Sequence, residues 1–188
     1  LRGSRTMRAL PTALVLAATL GGCATATPID ADPALAFIVV RHAEKADASR
    51  DPPLSRDGQA RARQLAERLA ATPLVAAYAT QYQRTRQTAQ PAADAHRVTV
   101  TRYDAATPAT ELARQLRAAH ARGNVLVVGH SNTAPDIAAA LCGCTVAAMD
   151  DAEYGRFLLI RIAPDGRATL EVSRFGDAPV RPASDRSR

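Results

Sequence analysis

Two runs of four consecutive apolar residues, Phe37-Ile38-Val39-Val40 and Val125-Leu126-Val127-Val128, constrain this chain more than any other feature. A strand with one wet face alternates apolar and polar side chains, whereas a strand apolar at every position has both faces covered. Such strands need helices on either side, and the segments between the runs supply them. From Asp57 to Ala71, residues Ala62, Leu65, Ala66, Leu69 and Ala70 recur at i, i+3, i+4, i+7 and i+8, the apolar stripe of a helix. Thr85 to Ala95 and Ala109 to Ala121 read as further helices, the second turning Leu112, Ala113 and Leu116 inward. Leu74 to Ala79 and Val98 to Thr101 are strand candidates. Another helix starts near Thr133, with Pro135 in its first turn and Asp136 favouring its positive end. Arg156 to Ile162 and Ala168 to Arg174 flank the turn signal Pro164-Asp165-Gly166 and read as a hairpin. Strands alternating with helices imply an α/β domain with a mostly parallel central sheet. A chain of 188 residues has room for one such domain, expected over residues 36–176, with 177–188 as a flexible tail.

The N-terminal segment is of another kind. After Met7, Arg8 precedes an apolar stretch from Ala9 to Leu20 that is too short to span a bilayer, the arrangement of a secretion signal. It ends in Leu20-Gly21-Gly22-Cys23, which resembles the lipobox of bacterial lipoproteins and implies cleavage before Cys23 and lipidation of its thiol. A chance cysteine in an ordinary cleaved signal is the competing reading. Residues 1–22 are therefore expected to be leader and signal, and residues 23–35 a lipidated cysteine and tether. That places the protein in the bacterial envelope facing the periplasm, or secreted if Cys23 is unmodified.

This segment changes the meaning of the charge. The chain carries a formal net charge of +6, but Arg2, Arg5 and Arg8 precede Cys23 with no acid among them, so the mature chain carries +3. It has no Trp, few aromatics and no Lys/Arg-rich run, so stacking platforms and basic stripes are both missing and nucleic acid is not an expected partner. The remaining cysteines stand in Leu141-Cys142-Gly143-Cys144. They read equally as incidental thiols at a helix terminus or as a local disulfide in an oxidising compartment. No second Cys or His pair at zinc spacing accompanies them.

Each apolar run ends at a histidine: Val39-Val40-Arg41-His42 and Val127-Val128-Gly129-His130. Ligands of open α/β sheets bind outside the carboxyl ends of the strands, so both imidazoles can enter one crevice. Here the sequence resembles the histidine phosphatase superfamily. The resemblance is carried by Arg41-His42-Ala43-Glu44-Lys45, Leu54-Ser55-Arg56-Asp57-Gly58, Gln83-Arg84-Thr85-Arg86-Gln87-Thr88-Ala89 and Gly129-His130-Ser131-Asn132-Thr133, in that order. It implies a three-layer α/β/α sandwich with His42 as nucleophile and Arg41, Arg84 and His130 completing a phosphate pocket. Ala43 stands where the commoner form of the motif has glycine.

Those residue types suit phosphoryl transfer. Charge spreads over three equatorial oxygens, and two guanidinium forks bind them in a way one lysine cannot reproduce. A neutral imidazole attacks phosphorus through one ring nitrogen while the other donates to a fixed acceptor. His130 is expected as a cation beside bound phosphate, and the N-terminus of the following helix as an added anion site. Nothing in the scheme requires a metal or other cofactor. The proton donor for the leaving group is the open position: Asp104, directly after the third strand, is preferred to Glu111, which reads as a solvated helix-face residue, and the third reading is that neither serves. Glu44 reads equally as a rim residue or a structural one. Arg61, Arg63, Glu67 and Arg68 read as a solvated helix face, Arg86 as an exposed helical residue in preference to a substrate contact, and His96 and His120 as helix-end residues favouring the dipole. The resulting expectation is a metal-independent phosphoric monoester hydrolase working through phospho-His42 on a phosphorylated small molecule or envelope glycolipid. A noncatalytic lipoprotein holding a phosphorylated ligand in the same pocket is the alternative.

Overall fold

The computed structural model describes residues 35–176. The signal, Cys23, most of the tether and the tail at 177–188 lie outside the described residues.

The six strands are β1 (Leu35–Arg41), β2 (Leu74–Thr80), β3 (Val100–Tyr103), β4 (Gly123–Gly129), β5 (Arg156–Ile162) and β6 (Ala168–Arg174). The helices are α1 (Arg56–Leu69), α2 (Gln83–His96), α3 (Ala109–Ala119) and α4 (Ala134–Cys142). The strands form one sheet in the order β3-β2-β4-β1-β5-β6. β1 to β4 are mutually parallel, β5 pairs antiparallel with β1, and β6 pairs antiparallel with β5 at the edge. The two apolar runs are the adjacent central strands β1 and β4.

Alternation along β1 sorts the core into two layers, because successive side chains point to opposite faces. Phe37 and Val39 pack with Leu112 and Leu116 of α3 and with Ile137 and Leu141 of α4. Ile38 and Val40 pack with Leu65 and Leu69 of α1 and with Ala89, Ala92 and Ala93 of α2. The result is the three-layer α/β/α sandwich, with α1 and α2 on one face and α3 and α4 on the other.

Two sequence expectations need correcting. β3 begins at Val100 rather than Val98, because α2 ends on Arg97 in the left-handed region (φ 57°) and the amide of Val98 returns to the carbonyl of Ala93 at 3.0 Å. Arg61 does not face solvent. It is buried, and its Nε and Nη2 donate to the Glu44 carboxylate at 2.7–3.0 Å, while Nη1 reaches the carbonyl of Phe175 at 3.4 Å. The helical period counts α1 as having one wet side, but the loop after β1 and the chain beyond β6 cover part of it. Glu44 thereby takes the structural role. Cys142 and Cys144 are joined as a disulfide at the C-terminal end of α4.

Candidate active site

The β1–β4 register builds the centre of the site. Arg41 pairs with Gly129, and the amide of His42 continues the ladder by donating to the carbonyl of Gly129 at 2.9 Å. The residues that follow the two central strands are therefore neighbours, and the rings of His42 and His130 stand edge to face with centroids 5.3 Å apart. Gly129 is required where the chain turns into α4: a Cβ there would sit 2.9 Å from Oγ1 of Thr133, which accepts the amide of His130.

The other motif blocks lock the loop after β1 in place. Thr88 of α2 accepts the amide of Ala43 through Oγ1 at 2.9 Å and donates to the carbonyl of Arg84 at 2.7 Å. Gln87 accepts the amide of Leu54, and Lys45 bridges Leu54 in antiparallel fashion. Ser55 caps α1 by accepting the amide of Gly58. A Cβ on Gly58 would lie 2.3 Å from the carbonyl of Glu44, so this helix start approaches the loop as only glycine allows. The sequence blocks are contacts of one assembly that fixes Arg84 relative to His42.

The groups that face the site divide cleanly. Nδ1–H of His42 donates to the carbonyl of Ala43 at 2.7 Å, leaving the lone pair on Nε2. Burial holds this imidazole down to about 3, with His130, Arg41 and Arg84 adding to the depression against the opposing bond to Ala43. His130 lies within 3.2 Å of the Thr80 hydroxyl, and burial, then Arg84 and Arg41, hold it at about 4. Both rings are neutral at pH 7; a cationic His130 needs an anion close by to offset the arginines.

Arg41 donates through Nη1 to the carbonyls of Asp150, Asp151 and Glu153 at 2.9–3.1 Å and lies 4.2 Å over the ring of Tyr154. Arg84 lies 4.4 Å over the ring of Tyr82 and 3.9 Å from the Asp51 carboxylate. Nε of Arg41 and both Nε and Nη1 of Arg84 are buried donors without a hydrogen-bond partner among the described residues. Buried guanidinium donors left unpaired are costly, and an anion with several acceptor oxygens satisfies them together. Arg41, His42, Arg84 and His130 line one cavity of about 440 Å³, a size that admits a whole small molecule.

The two acids expected from the sequence do not line that cavity. Asp104 directly follows β3, but its carboxylate accepts the amide of Ala106 at 2.9 Å and lines a separate cavity with Gln81, Arg102 and Tyr103. Glu111 is on the outer face of α3, held at about 2 by hydrogen bonds from Arg114 and Gln115. Arg86 is exposed and also lies off the cavity. His96 bonds the carbonyl of Leu69, and burial lowers the pKa of His120, which meets the Tyr78 hydroxyl at 2.9 Å. The cavity instead takes Ser131, which stands in the motif block with His130, together with Tyr82, Asp151 and Tyr154, which sequence reasoning missed. The one available signal for Asp151 and Tyr154 is the acidic stretch from Asp150 to Glu153 between α4 and β5, and it has no periodicity to mark it. No group of three or more possible metal ligands occurs among the described residues.

Residues 37–107 match the family model described as the histidine phosphatase superfamily (branch 1). No curated protein sequence matches the chain. Among solved structures, the chain is similar to the protein histidine phosphatase SixA in complex with tungstate, at 19% identity and a TM-score of 0.62, covering 74% of this chain and 96% of that one. It is also similar to a mycobacterial glucosyl-3-phosphoglycerate phosphatase in complex with VO3, at 15% identity and a TM-score of 0.59, covering 75% and 99%. The family model covers three of the four motif blocks, the one at Gly129–Thr133 lying beyond the matched residues, and the similar structures share the fold.

Proposed function

We propose that this histidine phosphatase-like chain is a metal-independent phosphatase that hydrolyses phosphomonoesters through a phosphohistidine on His42. One observation carries the reading: a neutral imidazole with its Nε2 lone pair free stands beside two arginines whose buried donors include some that make no hydrogen bond among the described residues. In the first step Nε2 attacks phosphorus, the N–P bond forms, and the P–O bond breaks with its electron pair leaving on the alcohol oxygen, which takes a proton from solvent. Arg41 and Arg84 stabilise the charge on the equatorial oxygens. A dianion against His130 offsets the depression due to the arginines and favours the cation there. In the second step water displaces His42 and releases phosphate. Tungstate and VO3, the oxyanions named with the two similar structures, suit a pocket of this kind.

The proposed substrate is a phosphorylated small molecule or an envelope glycolipid, met by a lipid-anchored protein facing the periplasm. The signal-like stretch ending at Cys23 supports that location. The test is release of phosphate from a chromogenic phosphomonoester in the presence of chelator, beside a His42→Ala variant. Turnover that survives chelation and disappears in the variant is expected. Phosphate binding without turnover in the parent would establish the noncatalytic alternative, and loss of turnover on chelation would overturn the metal-free reaction.

A further inference from the structure

We propose that Asp151 is a catalytic residue, the base that activates water for hydrolysis of the phosphoenzyme; this rests on the phospho-His42 reading above. Asp151 is the one carboxylate that lines the cavity among the described residues. Its Oδ1 accepts the hydroxyl of Ser131, next to His130, at 2.7 Å and lies 3.9 Å from Nη2 of Arg41. A carboxylate that faces a guanidinium and accepts a hydroxyl proton presents its remaining lone pairs as acceptors.

The backbone beneath it is fixed from both sides. Arg41 gathers the carbonyls of Asp150, Asp151 and Glu153 onto one nitrogen. Arg156 holds the carbonyl of Ala147 at 2.7 Å and the Glu153 carboxylate at 2.9 Å. Asp150 closes the turn by accepting the amide of Ala152 through its side chain and that of Glu153 through its carbonyl. A segment held this firmly, yet presenting a side chain 94% exposed at the mouth of the cavity, puts one acceptor where solvent enters. Asp104 and Glu111 do not line this cavity.

In this step an O–H of water is held by the Asp151 carboxylate. The oxygen attacks phosphorus, a P–O bond forms, and the Nε2–P bond breaks with its electron pair returning to His42. The proton passes to the carboxylate and from its exposed side to solvent. No co-reactant besides water is needed.

Asp151→Asn separates this role from others, because the bond from Ser131 and the backbone contact to Arg41 both survive the change. With p-nitrophenyl phosphate under rapid mixing, the variant is expected to release about one equivalent of nitrophenolate in a burst. Steady turnover then falls about a hundredfold, at the low end of what a positioned base contributes. Phosphorylated His42 should accumulate and be recovered by mass after an alkaline quench. Steady turnover equal to that of the parent overturns the proposal. So does a burst slowed to the steady rate without phosphoenzyme, which would place Asp151 in the first step or in binding. If the parent itself forms no phospho-His42, the failure belongs to the proposed function, and the assignment of Asp151 falls with it.

Discussion

Removing the carboxylate of Glu44 tests whether the contact between α1 and the loop after β1 is a buried ion pair or a surface one. The pair comprises three contacts of 2.7–3.0 Å, with side-chain exposures of 7% for Arg61 and 16% for Glu44. In Glu44→Ala the guanidinium stays buried, with the Phe175 carbonyl at 3.4 Å as its remaining partner. Breaking such a pair from one side costs about 3–5 kcal/mol. A solvent-exposed pair contributes roughly 0–1 kcal/mol. For a domain of this size the larger figure corresponds to a fall in Tm of about 10–20 °C. Thermal and urea unfolding of Glu44→Ala, Arg61→Met and the double variant measure it. The double variant should recover much of the loss, since no buried charge is left uncompensated. The anchors of His42, namely the carbonyl of Ala43 and the amide ladder to Gly129, are backbone groups, so the folded Glu44→Ala protein should retain most of its turnover at low temperature. Single variants that each cost under about 1 kcal/mol and add without coupling would refute the buried-pair argument and restore the solvated-face reading of α1.

Three further outcomes are expected. Arg84→Lys keeps a charge but loses the planar fork, and kcat/KM should fall about 10²–10³-fold; a loss below tenfold would show that charge alone suffices. His42 and His130 are held at about 3 and about 4 against an ordinary value near 6.5, so the unfolded chain takes up protons there before the folded one does. Their contribution to stability is therefore full above about pH 6.5 and is lost as the pH falls toward 4 and then 3. In Tm against pH, His130→Asn should flatten this acid slope, and an unchanged slope would contradict the burial assigned to the ring. Cys23→Ser should move the protein from the membrane to the soluble fraction, and unchanged fractionation would remove the lipid anchor from the reading.

The legible parts of the sequence are those with a short-range signal. Four consecutive apolar residues declare a strand covered on both faces, and a histidine directly after each strand is placed by chain direction alone. Arg84 was legible through the resemblance carried by the compact block it shares with Thr88, whose hydroxyl ties the first turn of α2 to the loop after β1. Asp151 and Tyr154 had no such signal. They lie on an irregular segment whose course is set by three carbonyls converging on Arg41, more than a hundred residues earlier in the chain. Asp104 lies off the main cavity for a related reason: following a strand fixes where the backbone is, but a nearby amide decides where a short carboxylate points.

The sequence by itself determined the strand–helix alternation and the histidine at the end of each central strand, because periodicity and strand ends are local properties of a chain; the sandwich layers and the two arginines were implied by the resemblance of the motif blocks. Only the tertiary structure decided that Arg61 is buried and paired, that Cys142 and Cys144 are joined, and that the carboxylate in the cavity is Asp151. Those outcomes depend on which distant segments close over a side chain. Burial and charge pairing are properties of that enclosure, and no spacing along the chain encodes them.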